Sequence, residues 1–235
     1  CQELGELQGR PRYKELAHFH CELAEEALRL KNPELVAEHL NFAMEAVPNH
    51  PRATILRGDL LVSQNQLSEA VKVWSYIYQH HVAYLPLVAD RWMKVHQVLG
   101  KTDEALQVLI DALQTQASGE LLDITFRHVL ALRGNEAAEA LMTDVMQHTP
   151  SLSAMALRSQ ARLSLAELAG DKEKQLDIKA SLGLLKQRTN SLARYTCGNC
   201  GFRARRFYWQ CPGCNAWESY SPRRGEGAAP SGPSM

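Results

Sequence analysis

Between Tyr13 and about Asn190, short polar breaks interrupt a sequence otherwise rich in Ala, Leu, Glu and Gln. The breaks are KNPE at 31–34, VPNHP at 47–51, QNQ at 64–66, LGKTD at 99–103, RGNE at 133–136, HTPS at 148–151 and AGDKE at 169–173. The residues between them are good helix formers and strand signals are nearly absent, so the segments are predicted helices. Several breaks end one helix and begin another. Gly100 can take a left-handed turn and Thr102 or Asp103 can cap the next helix, while Asn32 caps a helix whose first residue is Pro33. Helices linked this tightly pack as antiparallel hairpins.

The hairpins recur. Gly58 in RGDLL is followed by Ala70 in SEAVKVW, Ala105 in DEALQVL and Ala138 in NEAAEALM, with 35 residues from Ala70 to Ala105 and 33 from Ala105 to Ala138. Four places after the small position stands a large apolar residue, Leu40, Trp74, Leu109 or Met142, and Pro48 and Pro150 close two of the units. Small residues let helix axes cross closely while the large ones fill the ridge beside them. This period resembles the tetratricopeptide (TPR) repeat, with two departures: Val36 occupies a small-residue slot and Arg57 an apolar one. An unrelated helical bundle needs no fixed period. Helices near 151–168 and 172–190 form a last, capping pair.

Four cysteines, Cys197, Cys200, Cys211 and Cys214, fall within CGNCGFRARRFYWQCPGC, whereas the rest of the chain has only Cys1 and Cys21. Two CxxC pairs separated by ten residues can each wrap a tight turn whose amides point at the sulfurs. Two such knuckles facing each other make a closed tetrahedral S4 site. Gly201 and Pro212-Gly213 supply turn freedom, and GFRARRFYWQ alternates well enough for a short hairpin from one knuckle to the other. Two disulfides in so small a hairpin would be strained, and a thioredoxin-type pair requires a βαβ unit that the surrounding sequence lacks. A structural metal site accounts for both pairs at once. The four sulfurs suit zinc and iron alike.

Composition fits an ordered, reducing-compartment protein: 45% apolar and 22% charged residues over 235 positions. The formal charge is zero but unevenly spread, with 18 Lys/Arg against 24 Asp/Glu in residues 1–185 and 8 against 2 in residues 186–235. No run of about 20 apolar residues suggests a membrane span. The chain begins at Cys1 without an initiator Met, which reads as a soluble piece of something longer. The expected organisation is a helical repeat domain over 1–193, a metal module over 194–222 and a disordered Gly/Pro/Ser-rich tail over 223–235.

The segment ARYTCGNCGFRARRFYWQCPGCNAWESYSPRRG resembles the C-terminal rubredoxin-type module of the lipopolysaccharide assembly protein B family, CGNCGF and YWQCPGCNAW being the matching knuckles. AHFHCELAEEAL followed by RATILRGDLL is similar in character and order to that family's repeat region. The resemblance implies an all-α, right-handed α-solenoid of TPR-like hairpins with a small rubredoxin-like, zinc-ribbon-like β module. It implies one metal ion, iron, on Cys197, Cys200, Cys211 and Cys214. The loop between the knuckles is shorter than in electron-carrying rubredoxins, which argues against a redox role. The resemblance further implies a non-catalytic adaptor at the cytoplasmic face of the inner membrane, held by an upstream anchor that this chain lacks. The family limits lipopolysaccharide synthesis by working with the membrane protease FtsH to set degradation of the deacetylase LpxC. FtsH, LpxC and other lipopolysaccharide-assembly proteins are the implied partners, with a homo-oligomer also open.

The first helix of each TPR-like hairpin should line a groove, presenting Glu25, Arg52, Asp59, Asp90 and Lys94 to an extended or helical peptide. A solvated face is the competing reading. Arg203, Arg205, Arg206, Arg223 and Arg224 with Phe202, Phe207, Tyr208, Trp209 and Trp217 raise a second function, a nucleic-acid-binding zinc ribbon. No nucleic acid is expected, because so small a module needs its aromatics for a miniature core and its arginines for docking on the acidic helices. His18, His20, His39, His80 and His81 have no ligand companions at metal spacing and read as surface or packing residues. No phosphate loop, GxSxG or framed carboxylate pair points to an enzyme.

Overall fold

A computed structural model describes residues 12–191 and 195–222. The chain divides into two compact units, residues 1–102 and 103–235.

The first unit contains α1 (Tyr13–Arg29), α2 (Pro33–Ala46), α3 (Pro51–Ser63), α4 (Leu67–His80), a 3₁₀ helix (Val82–Leu87) and α5 (Ala89–Val98). The second and third helices begin at the predicted breaks. The Asn32 side chain accepts from the Leu35 N–H at 3.1 Å with Pro33 at the first helical position. His50 caps α3 in the same way, Nδ1 accepting from the Ala53 N–H ahead of which Pro51 stands. α1 pairs with α2 and α3 with α4, and α1 and α2 both reach α3. The seam between α1 and its neighbours is built from Ala17, Ala24, Ala27 and Ala43 around Val36, Leu40 and Leu56. Small side chains bring the axes together and larger ones lock them. The α3–α4 crossing is tighter still. A Cβ placed on Gly58 would lie 2.0 Å from Trp74 Nε1, and that indole N–H donates to the Ile55 carbonyl at 3.1 Å.

The second unit contains α6 (Thr102–Thr115), α7 (Gly119–His148), α8 (Leu152–Leu168) and α9 (Lys172–Ser191), followed by β1 (Tyr195–Cys197), β2 (Arg203–Ala204) and β3 (Tyr220–Pro222). α7 is two helices in one. Gly134 has φ 84° and ψ −176°, so the chain breaks at RGNE as predicted. Ser118, Ser151 and Asp171 accept from the N–H groups of Leu121, Ala154 and Lys174 at the starts of α7, α8 and α9. α7 packs on α8 and α8 on α9. The Gln114 amide of α6 reaches Asp144 of α7.

The expected rhythm of small and large residues is met: Ala70, Ala105 and Ala138 are buried, as are Leu40, Trp74, Leu109 and Met142. A mostly helical body with a small β module is the architecture the sequence predicts. Two turns depart from the predicted scheme, which has no break between QNQ and LGKTD or before Gly119. The 3₁₀ helix around Pro86 turns the chain after α4, and Gln116–Ser118 separates α6 from α7. Among the described residues no helix is long and apolar enough to cross a membrane. The predicted disordered tail, 223–235, lies outside the described residues.

Candidate metal centre

The three strands form one antiparallel sheet in the order β2-β1-β3. Tyr195 faces Ala204 on one side and Pro222 on the other, and Cys197 faces Tyr220. This corrects the expected hairpin running from knuckle to knuckle. The pairing instead flanks each knuckle: β1 and β2 enclose the first, and an antiparallel bridge between Gln210 and Trp217 encloses the second.

The knuckles are copies of one another in their backbone. In the first, the Cys197 N–H donates to the Phe202 carbonyl at 2.9 Å and the Gly201 N–H returns to the Cys197 carbonyl at 3.0 Å. In the second, the Cys211 N–H donates to the Ala216 carbonyl at 2.9 Å and the Asn215 N–H returns to Cys211 at 2.8 Å. The returning residue is left-handed in both, φ 75° at Gly201 and 57° at Asn215. Glycine adopts this region freely, and asparagine tolerates it better than most residues. Asn215 was not among the predicted turn residues; its place four positions after Cys211, matching Gly201 after Cys197, is the signal that marks it.

The sulfurs of Cys197, Cys200, Cys211 and Cys214 all lie within 4.8 Å of one another. Cys197 Sγ is 3.7 Å from Cys214 Sγ, and Cys200 Sγ is 3.7 Å from Cys211 Sγ. Metal–sulfur bonds of about 2.3 Å in a tetrahedron imply sulfur–sulfur edges of about 3.8 Å. The four cysteines therefore stand close to the spacing that one tetrahedral ion requires, with two of the four cross-knuckle pairs at edge length.

Polar groups gather at the sulfurs. The Asn199 amide donates to Cys214 Sγ at 3.3 Å, the Gly213 N–H to Cys211 Sγ at 3.4 Å, and Ser219 Oγ lies 3.2 Å from Cys197 Sγ. Burial raises the Cys197 thiol, but Ser219 and the N–H groups of Cys200 and Asn199 outweigh it and bring the thiol down to about 6. Burial likewise opposes the Tyr220 hydroxyl and the Gly213 and Cys214 N–H groups at Cys211, whose thiol is lowered. Cys200 goes the other way: the Phe202 N–H draws it down, yet burial and the sulfurs of Cys214, Cys211 and Cys197 push it up to about 12. The thiols of Cys197, Cys200 and Cys211 cannot all ionise against one another. A bound cation removes the conflict by favouring every thiolate.

Tyr195, Ala204 and Tyr220 join Cys197 and Cys211 in the module's core, with Phe207, Tyr208 and Cys214 packed against it. Of the aromatics expected to form the miniature core, Phe207 and Tyr208 pack against it and Phe202 is exposed, while the buried rings are Tyr195 and Tyr220. The arginines behave differently from expectation: Arg206 lies over the Tyr208 ring, and Arg203 and Arg205 are exposed and enter no ion pair among the described residues. Arg223 and Arg224 lie outside the described residues.

The predicted groove residues lie on α1, α3 and α5, and several of them are tied together. Arg52 is only 5% exposed, and its Nε donates to Glu25 at 3.0 Å. Asp59 is ion-paired with Arg91 of α5; burial holds its carboxyl above the ordinary range despite that guanidinium. Arg52 is thus a nearly buried strut between α1 and α3, which fits neither an open groove cation nor the competing solvated face. Lys94 is exposed and Asp90 half-buried. The histidines are packing residues: His18 is buried edge-on against His50, His20 stacks on Phe42 with its Nδ1 3.4 Å from that of His39, and His80 and His81 lie against Tyr76.

A paired-knuckle, four-sulfur module of this kind could hold one tetrahedral metal ion, and residues 195–222 match the family described as rubredoxin metal binding domain. The kinship extends into the helices. The chain is 29% identical over 215 residues to lipopolysaccharide assembly protein B of Escherichia coli (strain K12), covering 90% of this chain and 54% of that protein. It is 24% identical over 224 residues to the protein of that name from Haemophilus influenzae, covering 94% and 55%. The chain is a homologue of these lipopolysaccharide assembly B proteins and spans about half their length. Among solved structures, a chain of the MamA RS-1 ArsTM double mutant is similar at TM-score 0.43 and 15% identity, over 74% of this chain and 97% of that one.

Proposed function

We propose that this chain is the helical and metal-binding portion of a non-catalytic adaptor in lipopolysaccharide assembly. The observation that carries the reading is the alignment to lipopolysaccharide assembly protein B, which runs through 90% of the chain, hairpins and module alike. In this reading the hairpins are TPR-like repeats that receive protein partners, and Cys197, Cys200, Cys211 and Cys214 hold one structural ion that keeps the module folded. The resemblance names the partners: the protease FtsH and its client LpxC, at the cytoplasmic face of the inner membrane. The ion is iron or zinc, since a closed S4 site with no open position suits either.

The test is capture from cells. Full-length protein carrying an affinity tag should retain FtsH and LpxC on immunoblots, and its loss should lengthen the lifetime of LpxC. Capture of neither, with LpxC lifetime unchanged, would remove the adaptor reading. One observation favours a second reading: Arg203 and Arg205 are exposed without ion pairs among the described residues, and Phe202 beside them is 42% exposed. A nucleic-acid ribbon would use them, with affinity falling steeply as salt rises. Binding of single-stranded RNA or DNA by the full-length protein, lost in Arg203→Ala/Arg205→Ala, decides for it.

A further inference from the structure

We propose that His20 and His39 form a second metal-binding site, a two-imidazole clamp on the first helical hairpin for a divalent transition-metal ion such as zinc, nickel or copper. The inference depends neither on the adaptor reading nor on the four-thiol site. His20 lies on α1 and His39 on α2, 19 residues apart in sequence. Nδ1 of one stands 3.4 Å from Nδ1 of the other.

That distance decides between two ways of pairing the rings. A protein N–H hydrogen bond typically spans about 2.7–3.2 Å, so 3.4 Å is long for a proton held between the two nitrogens. Metal–nitrogen bonds of about 2.0–2.1 Å in a tetrahedron imply nitrogen–nitrogen edges of about 3.3–3.4 Å. The separation is the one that two imidazoles on a single ion require.

The spacing is built into the backbone. Ala17 and Ala24 stand about one turn to either side of His20, Val36 and Ala43 flank His39 in the same way, and all four are fully buried in one core cluster. The two histidines therefore hold equivalent places on packed helices that are locked together above and below them. Phe42 sets one of the rings, stacking on His20 with centroids 5.1 Å apart and planes at 28°. A pair held this way presents the second imidazole at high effective concentration once the first has bound an ion. Both residues are half-buried, so the pair is within reach of solvent and water completes the coordination. Burial, with the neighbouring His39 as the second cause, lowers the His20 pKa from its ordinary value. The neutral ring that results is the form that binds a metal.

Zinc titration of the chain past saturation of its four thiols, followed by calorimetry and by proton NMR of the histidine rings, tests the proposal. The expected result is one further zinc per chain, with the ring signals of His20 and His39 shifted and those of the buried His18 and His50 unmoved. His20→Ala and His39→Ala should each weaken that uptake by about tenfold or more, as loss of one arm of a chelate does. Their circular dichroism should stay native, because both side chains are only half-buried. Copper(II) should bind more tightly than nickel or zinc, and magnesium should not bind, since imidazole suits the first three and oxygen ligands the last. Affinity should also fall as the pH is lowered and protons compete for both nitrogens. Zinc uptake unchanged in both variants would place the ion on Cys1, Cys21 or another group and overturns the proposal. A titration that moves neither ring, or one in which magnesium does as well as zinc, overturns it too.

Discussion

The helical units and the cysteine module bury their interiors by different means. In the helices the largest buried side chains are Trp74, Phe126, Leu40, Leu106, Leu109, Leu121 and Met142, drawn from successive elements and packed across helix crossings. In the module the buried set is Tyr195, Cys197, Ala204, Cys211 and Tyr220, and two of those five are thiols. Hydrophobic burial scales with the apolar area removed from water, which many helices supply and three very short strands do not. The helical part is consequently expected to fold on its packing alone. The module is expected to rely on the bonds that an ion across its sulfurs would make.

The sharpest way to break this contrast is to remove one sulfur. Cys211→Ser should release the ion and unfold residues 195–222, since structural metal binding supplies on the order of 10 kcal/mol to such sites, while far-ultraviolet circular dichroism stays near the native helical level. Elemental analysis checks the first part, and hydrogen exchange locates the second. Protection lost in 151–190 along with the module would show that the module is docked on those helices. Full retention of iron plus zinc by Cys211→Ser would mean that the sulfurs do not form one site.

A smaller effect of the opposite kind is expected within the helices. Gly58→Ala forces a methyl against the Trp74 ring, where a Cβ would sit 2.0 Å from Nε1. Overpacking of this sort typically lowers stability by about 2 kcal/mol, more than alanine gains over glycine in helix propensity, about 1 kcal/mol. Urea unfolding followed by tryptophan fluorescence measures the difference, and a more stable variant would show that the crossing has slack. Next in size is Arg52→Ala, which removes a charge-assisted bond to Glu25 and should lower the unfolding free energy by about 1.5 kcal/mol. A variant as stable as the native chain would show that the strut adds nothing to folding. Smallest is Lys94→Glu: exposed and away from the core, it should change stability by no more than about 0.5 kcal/mol. A loss of partner capture in that variant would point to the open face of α5, whereas unchanged capture would take it out of recognition.

How much the sequence disclosed depends on the range of the interactions. The Asn32 cap, the Gly100 and Gly134 turns and the alternation of Ala70, Ala105 and Ala138 with Trp74, Leu109 and Met142 are decided within a few residues, and they were legible. The strut between Arg52 and Glu25 spans 27 residues and the Asp59–Arg91 pair 32, so spacing on one helix gave no hint that these charges face one another. Pro86 marked a break that helical composition on either side concealed. In the module the ligand spacing was plain, but the strand order was not. Tyr195–Cys197 finds its second partner in Tyr220–Pro222, beyond both knuckles.

That strand order has a mechanical consequence. The chain enters the module at Tyr195 and leaves it at Pro222, and these two residues face each other across adjacent antiparallel strands. The module is a closed loop with its two ends at one corner. Tension between those ends would be borne first by the Tyr195–Pro222 rung, then by Thr196–Ser221, and only then by Cys197–Tyr220, where the first sulfur begins. Pulling would open the sheet as a zipper, one pair at a time and at low force, until it reached the thiol cluster, where the resistance would rise abruptly. In a force-extension trace the metal-loaded module would give a late, single, high-force event, and the same module stripped of its ion would give none.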